Sequence, residues 1–266
     1  MDNRPIGVFD SGLGGLTSVH ELHRQLPEEK VIYYGDTART PYGSKSPETI
    51  IKFATQIVDY LVARNTKMIL IACNTVTALA LDSLRERYPA IPIIGVIEPT
   101  VRKVVSEGCS NVGVIATKAT IGSDVYGREL RRMDPDIKVC SAACPAIVPL
   151  VEEGLTDTDI MELTVKHYMD DFVREGGFSD LILGCTHYPL VAGHLRKLYP
   201  DLRLYSSSAE VVSEARRILT ENDMLASGSE FTDRYYASDM SDNFIAMTDM
   251  LFRDTDFKIH LLKLEE

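Results

Sequence analysis

Two cysteines stand in near-copied settings: Met68-Ile69-Leu70-Ile71-Ala72-Cys73-Asn74-Thr75 and Leu181-Ile182-Leu183-Gly184-Cys185-Thr186-His187. Each follows an apolar run of strand length and leads into a helical pattern that stops at a Tyr-Pro pair, Tyr88-Pro89 or Tyr199-Pro200. The Cys-to-Tyr intervals are 15 residues (88 minus 73) and 14 (199 minus 185). A thiol just before a helix start lies in the positive potential of unpaired backbone N–H groups, which favours the thiolate. Two such thiols on opposite sides of one carbon could remove a proton from one face and return a proton to the other. A lone strand-end cysteine is more often a buried apolar residue than a nucleophile or base. Two in matched positions, each followed by a polar helix start, reverse that expectation.

The neighbouring residues narrow the ligand. Helix-start N–H groups with the hydroxyls of Thr75 and Thr186 suit a carboxylate. Asn74 both donates and accepts hydrogen bonds, and an ionised Asp10 only accepts, which fits an ammonium group. A small amino acid with a second carboxylate matches this inventory. His187 is placed to tune Cys185 or to act as a general acid. His20, His23, His167, His194 and His260 lie in surface-like helical or terminal contexts, and Cys109 has no motif around it. Cys140-x₃-Cys144 lacks the second pair that a metal site needs, so no metal is expected. The turn Asp10-Ser11-Gly12-Leu13-Gly14-Gly15 follows a strand and opens a helix, but a dinucleotide loop would need glycine where Thr17 stands. It also lacks a P-loop ending, and reads as a tight turn that presents Asp10 and Ser11.

The elements that must carry these groups alternate between strand and helix. Strands are expected at Ile6–Phe9, Val31–Tyr34, the run before Cys73, and Ile93–Val96, with helices at Thr17–Gln25, Ser46–Arg64 and after Cys73. Such alternation gives βαβ units and a mostly parallel sheet. Residues 111–117 then match 5–11 at an offset of 106 (113 minus 7), and the cysteines match at an offset of 112 (185 minus 73). A helix over 158–174, the Cys185 strand with its helix, and a strand at 202–205 complete a second copy. The expected fold is α/β: two similar three-layer domains with mostly parallel sheets, related by a pseudo-twofold, with the site in the cleft between them. A tail helix over 210–221, a weakly patterned stretch at 226–242, a short helix at 244–252 and a strand at 258–263 are expected to return to the first domain. That gives 1–97 plus 208–266 for the first domain and 98–207 for the second.

Ligands of parallel sheets bind beyond the carboxyl ends of the strands. Those ends carry Asp10-Ser11, Cys73-Asn74-Thr75, Ala116-Thr117 and Cys185-Thr186-His187. Tyr42 precedes Cys73 by 31 residues (73 minus 42) and Glu153 precedes Cys185 by 32 (185 minus 153), so Glu152-Glu153-Gly154 occupies the loop equivalent to Pro41-Tyr42-Gly43.

The 266 residues are 45% hydrophobic and 25% charged, enough for two small domains with proper cores. No apolar run reaches the roughly 18 residues of a membrane span, and residues 1–10 lack the pattern of a signal peptide, so a cytoplasmic protein is expected. Five cysteines then read as reduced thiols. A net charge of −11 without a basic, aromatic-laced patch argues against nucleic acid.

With these residues in view, the chain resembles the glutamate racemases of the cofactor-independent aspartate/glutamate racemase superfamily. The resemblance covers nearly the whole chain. It rests on Gly7-Val8-Phe9-Asp10-Ser11-Gly12-Leu13-Gly14-Gly15-Leu16, Tyr34-Gly35-Asp36-Thr37-Ala38-Arg39-Thr40-Pro41-Tyr42-Gly43, Ala72-Cys73-Asn74-Thr75 and Gly184-Cys185-Thr186-His187-Tyr188-Pro189. It implies interconversion of L- and D-glutamate without pyridoxal phosphate or another cofactor, with Cys73 and Cys185 as acid/base catalysts. Asp10 and His187 would assist them, with Glu152 as a further contributor. Asp10, Ser11, Pro41, Tyr42, Gly43, Asn74, Thr75, Thr117, Thr186 and His187 would meet the substrate. A homodimer that supplies D-glutamate to peptidoglycan is implied as well. Ser206-Ser207-Ser208-Ala209-Glu210 matches the family pattern only loosely. Rival readings are a racemase of aspartate or a related acid, a cysteine hydrolase built on Cys185 and His187, and a nucleotide-binding module on the Gly-rich turn.

Overall fold

The computed structural model describes residues 1–228, 231–241, 245, 248 and 257–264. The first half runs β1 (Ile6–Asp10), α1 (Leu16–Gln25), β2 (Val31–Gly35), α2 (Pro47–Val62), β3 (Met68–Ile71), α3 (Asn74–Arg87) and β4 (Ile93–Gly95). The second runs α4 (Ile97–Ser106), β5 (Asn111–Ala116), α5 (Lys118–Gly122), α6 (Val125–Met133), β6 (Lys138–Ala143), α7 (Ile147–Glu152), α8 (Asp159–Gly176), β7 (Asp180–Gly184), α9 (Ala192–Leu198) and β8 (Arg203–Ser206). The chain continues through α10 (Ser207–Glu221), β9 (Arg234–Ala237) and β10 (Ile259–Leu261).

The strands form two sheets, ordered β10-β9-β2-β1-β3-β4 and β6-β5-β7-β8, and every pair is parallel. The order β2-β1-β3-β4 thus recurs as β6-β5-β7-β8. Because crossover helices cover both faces of parallel strands, β1, β2, β3 and β7 are buried along their whole length. One core lies between the first sheet and α2 and α3. The larger core continues from the α1 side of that sheet, through α4 and α10, to both faces of the second.

Helix starts follow the side chains. Ser46 accepts from the Thr49 N–H at the head of α2, with Pro47 at the first position. Thr117 and Thr158 do the same for α5 and α8.

Three departures from the sequence reading have physical causes. A helix running on directly from Cys185 would clash at Pro189, whose ring would meet the Cys185 carbonyl. The chain instead turns through Cys185-Thr186-His187 into a 3₁₀ segment, Tyr188–Val191, and α9 begins only at Ala192. Strand β6 sits at a sheet edge, is only partly buried, and so lacks the apolar alternation that would reveal it. The stretch expected to be unpatterned contains β9, which pairs with β2, while the helix expected over 244–252 falls outside the described residues apart from Ile245 and Thr248.

Both Tyr-Pro pairs have a structural role. Tyr88 and Tyr199 cap α3 and α9, and their hydroxyls donate to Asp59 (2.6 Å) and Asp170 (2.5 Å) on the preceding long helices. Each aspartate lies 29 residues upstream of its tyrosine (88 minus 59, 199 minus 170).

Candidate active site

Cys73 and Cys185 line one cavity of about 180 Å³. Around them lie Ser11, Pro41, Tyr42, Gly43, Asn74, Thr75, Thr117, Thr186 and His187, all singled out from the sequence. The wall also includes Thr40, Ser44, Lys118, Pro145, Val148 and Pro149, which sequence reasoning passed over. The last three come from the turn after β6 and the first turn of α7, an element order that the missed edge strand hid. Lys118, next to Thr117 at a strand's carboxyl end, could have been read from its position.

The halves touch directly around this cavity. A Cβ on Gly14 would lie 2.2 Å from the Thr186 hydroxyl, and one on Gly43 would lie 2.8 Å from the Thr117 Cβ. No side chain larger than hydrogen fits at either place without moving the facing strand end. Where α3 and α5 begin, the hydroxyls of Thr75, Thr117 and Thr120 meet at 3.0 to 3.3 Å.

The Cys73 side is buried. Cys73 caps α3, and its sulfur lies 3.4 Å from the Ser11 hydroxyl. Burial pushes its thiol up to about 12, assisted by the charge of Asp10. Hydrogen bonding with the Ser11 hydroxyl and from the Val76 N–H pulls the other way and loses. The helix start thus pulls toward the thiolate, as the sequence reading had it, but burial outweighs that pull.

Asp10 does not line the cavity. It is fully buried and folded back into its own turn, where Oδ2 accepts from the N–H groups of Gly12 (3.1 Å) and Gly15 (3.0 Å). Burial raises its carboxyl, against the pull of His187 and these N–H groups. Its Oδ1 has no hydrogen-bond partner among the described residues.

The Cys185 side is built differently. His187 Nδ1 lies 3.8 Å from the Cys185 sulfur, and Nε2 lies 3.2 Å from Glu152 Oε1. The second contact is a close ion pair outside aligned hydrogen-bond geometry. Burial alone would lower the imidazole, but Cys185 and Glu152 outweigh it and push His187 up to about 10. Glu152 lies outside the main cavity. It lines an adjoining hollow of about 140 Å³ with Leu13, Thr37, Thr40, Asp239 and Ser241, and Thr40 borders both spaces.

Two groups hold the lining from behind. Asp36, fully buried, accepts from the Tyr42 hydroxyl, from Arg39 (2.7 Å) and from Ser238 (3.0 Å). The loosely matching segment after β8 places Ser207 3.4 Å from Asn74 Nδ2, and Ser208 2.8 Å from Thr17. All five cysteines are unpaired, and no cluster suited to a metal occurs among the described residues.

Duplicated parallel sheets whose facing strand ends each present a thiol define a class of enzyme. The chain belongs to the Asp/Glu/hydantoin racemase family, whose model matches residues 6–215. It is an amino-acid racemase. A glutamate racemase of Geobacter metallireducens is 42% identical over 248 residues, 92% of this chain and 91% of that one. One from Neisseria gonorrhoeae is 38% identical over 263 residues, covering 98% and 97%. The crystal structure of Francisella tularensis glutamate racemase in complex with D-glutamate has a TM-score of 0.93 at 40% identity, covering 100% of this chain and 99% of that one.

Proposed function

We propose that this chain interconverts L- and D-glutamate by passing the α-proton between two thiols, without an organic cofactor. The observation that carries the reading is one small cavity lined by Cys73 from the first repeat and Cys185 from the second. Glutamate is the substrate of the named relatives, and the hydroxyls, amide and imidazole among the lining residues suit two carboxylates and an ammonium group.

One cysteine, as thiolate, takes the α-proton, and the other, as thiol, delivers a proton to the opposite face. Burial holds the proton on Cys73, and Cys185 and Glu152 favour the imidazolium form of His187. An entering ammonium group offsets the field of Asp10, the charge that helps keep Cys73 neutral. Asp10 then assists proton transfer at Cys73, and His187, steadied by Glu152, assists at Cys185. The α3 start with the hydroxyls of Thr75, Thr117 and Thr186 holds a carboxylate, and Lys118 adds positive charge at the mouth. These fixed donors stabilise the carbanion that forms at the α-carbon in a site drained of water. The reading extends to a cytoplasmic homodimer that supplies D-glutamate for peptidoglycan.

L-Glutamate incubated with metal-free, cofactor-free protein in D₂O should lose its circular dichroism signal and gain deuterium at the α-carbon. Cys73→Ser and Cys185→Ser should each abolish racemisation. Full activity in either variant would remove the two-thiol scheme, and faster turnover of aspartate would move the substrate.

A further inference from the structure

We propose that Tyr126 of α6 is a positioning residue that fixes the side-chain amide of Asn74 and so ties the two thiol-bearing turns to each other. The proposal rests on the racemase reading above and goes beyond it, because it assigns a role to a residue outside the cavity lining.

The geometry comes from one side chain that touches both turns. The Tyr126 hydroxyl donates to Asn74 Oδ1 at 2.6 Å, and Asn74 directly follows Cys73. The same ring packs on Gly184, which directly precedes Cys185. A Cβ there would lie 3.1 Å from Tyr126 Cε2. Tyr126 thus leans on one strand end and reaches across to the other.

The contact also settles which way the amide faces. A phenol keeps its proton until about pH 10 in water, and burial pushes Tyr126 higher still. The hydroxyl is therefore a permanent donor, and only the carbonyl oxygen of the amide can accept it. On the other side, Nδ2 of Asn74 points to the Ser207 oxygen at 3.4 Å. With Oδ1 and one N–H so engaged, the second N–H of Nδ2 remains for the cavity that Asn74 lines. Asn74, Tyr126 and Ser207 are all buried, so an amide left without its donor would have no water in place of the hydroxyl. A flipped amide would turn its oxygen toward a substrate carboxylate and repel it.

The test is a double-mutant cycle on Tyr126→Phe and Asn74→Ala, read as glutamate Kd by calorimetry and as KM and kcat in both directions. Loss of one hydrogen bond that leaves a buried acceptor unpaired corresponds to about a tenfold weakening. Y126F should therefore raise Kd and KM by about tenfold and change kcat by less than about threefold, and the double variant should match N74A alone. Wild-type values in Y126F, or effects of the two substitutions that multiply, would overturn the proposal. If Y126F melts well below the wild type, 3-fluorotyrosine at position 126 decides, because it keeps the shape and strengthens the donor. A lower KM supports the role, and an unchanged KM overturns it. Wild-type protein that neither binds nor turns over glutamate would instead sink the racemase reading, and this proposal with it.

Discussion

Cys73 and Cys185 occupy equivalent positions in the two repeats, yet their surroundings differ in kind. Cys73 lies beside Ser11 in the field of Asp10, whereas Cys185 faces a histidine that its neighbours push up to about 10, backed by a carboxylate. Because the folded protein holds the His187 proton more tightly than an unfolded chain does, rising pH favours unfolding through this group. Its contribution to stability should be complete below the ordinary histidine value of 6.5 and vanish as pH passes about 10. Calorimetric melting of wild type and His187→Gln should show a gap that narrows across that interval. A gap that stays constant from pH 6 to pH 10 would contradict the imidazolium assignment. Many residues that line the cavity were legible in the sequence because they sit at strand ends or in the loop of Pro41-Tyr42-Gly43, whereas Thr40, Ser44, Lys118, Pro145, Val148 and Pro149 were passed over. Tyr126 was not legible, since its partner Asn74 lies 52 residues away on another element, and the role of Asp36 was passed over although Arg39 and Tyr42 lie close to it in sequence. Asp10 was recognised as important but misplaced, because nothing in its spacing shows that it folds back into its own turn.

At the level of elements, the repeat was visible in the order of strand, cysteine and Tyr-Pro, and the sheet orders carry the same pattern. The asymmetry after Cys185 was also written in the sequence, in Pro189, although a shared periodicity concealed it. The tyrosine–aspartate ties that brace α3 on α2 and α9 on α8 were within reach, since both span the same interval. Each aspartate is largely open to solvent, so each tie stabilises by about 1 kcal/mol or less. Tyr88→Phe and Tyr199→Phe should each cost that much in urea unfolding, with the two losses adding because the ties share no partner. A loss of several kcal/mol in either would mean that the tie does more than brace a helix end. Strands β6 and β9 were the least legible elements, whereas the edge strand β10 lies within the strand read at 258–263. β6 has a neighbour on one side only and is half-exposed, and β9 lies within a polar stretch and is paired on both sides by strands far away in sequence.

The whole molecule closes on its cavity where glycine leaves no room for a side chain. Gly14→Ala would drive a methyl group into Thr186 and part the halves, with both sheets left intact. It should lower kcat/KM by at least about a hundredfold, the order seen when reacting groups shift by about an ångström, while the far-ultraviolet spectrum is retained. Gly193→Ala has open space in α9 and serves as the control, with activity unchanged. Near-native turnover in G14A would show that the close approach is dispensable. The paired sheets have one more consequence. Rotation can carry one half of a chain onto the other, but no rotation produces a mirror image. A scaffold made wholly of L-residues must therefore greet two antipodal ligands with unlike surfaces, here a helix cap on one flank and a histidine turn on the other. The antipodes themselves are equal in energy, so thermodynamics fixes the quotient kcat/KM to be the same for both. Handedness is left free to appear only in how that quotient divides, as tighter capture of one form matched by its slower conversion.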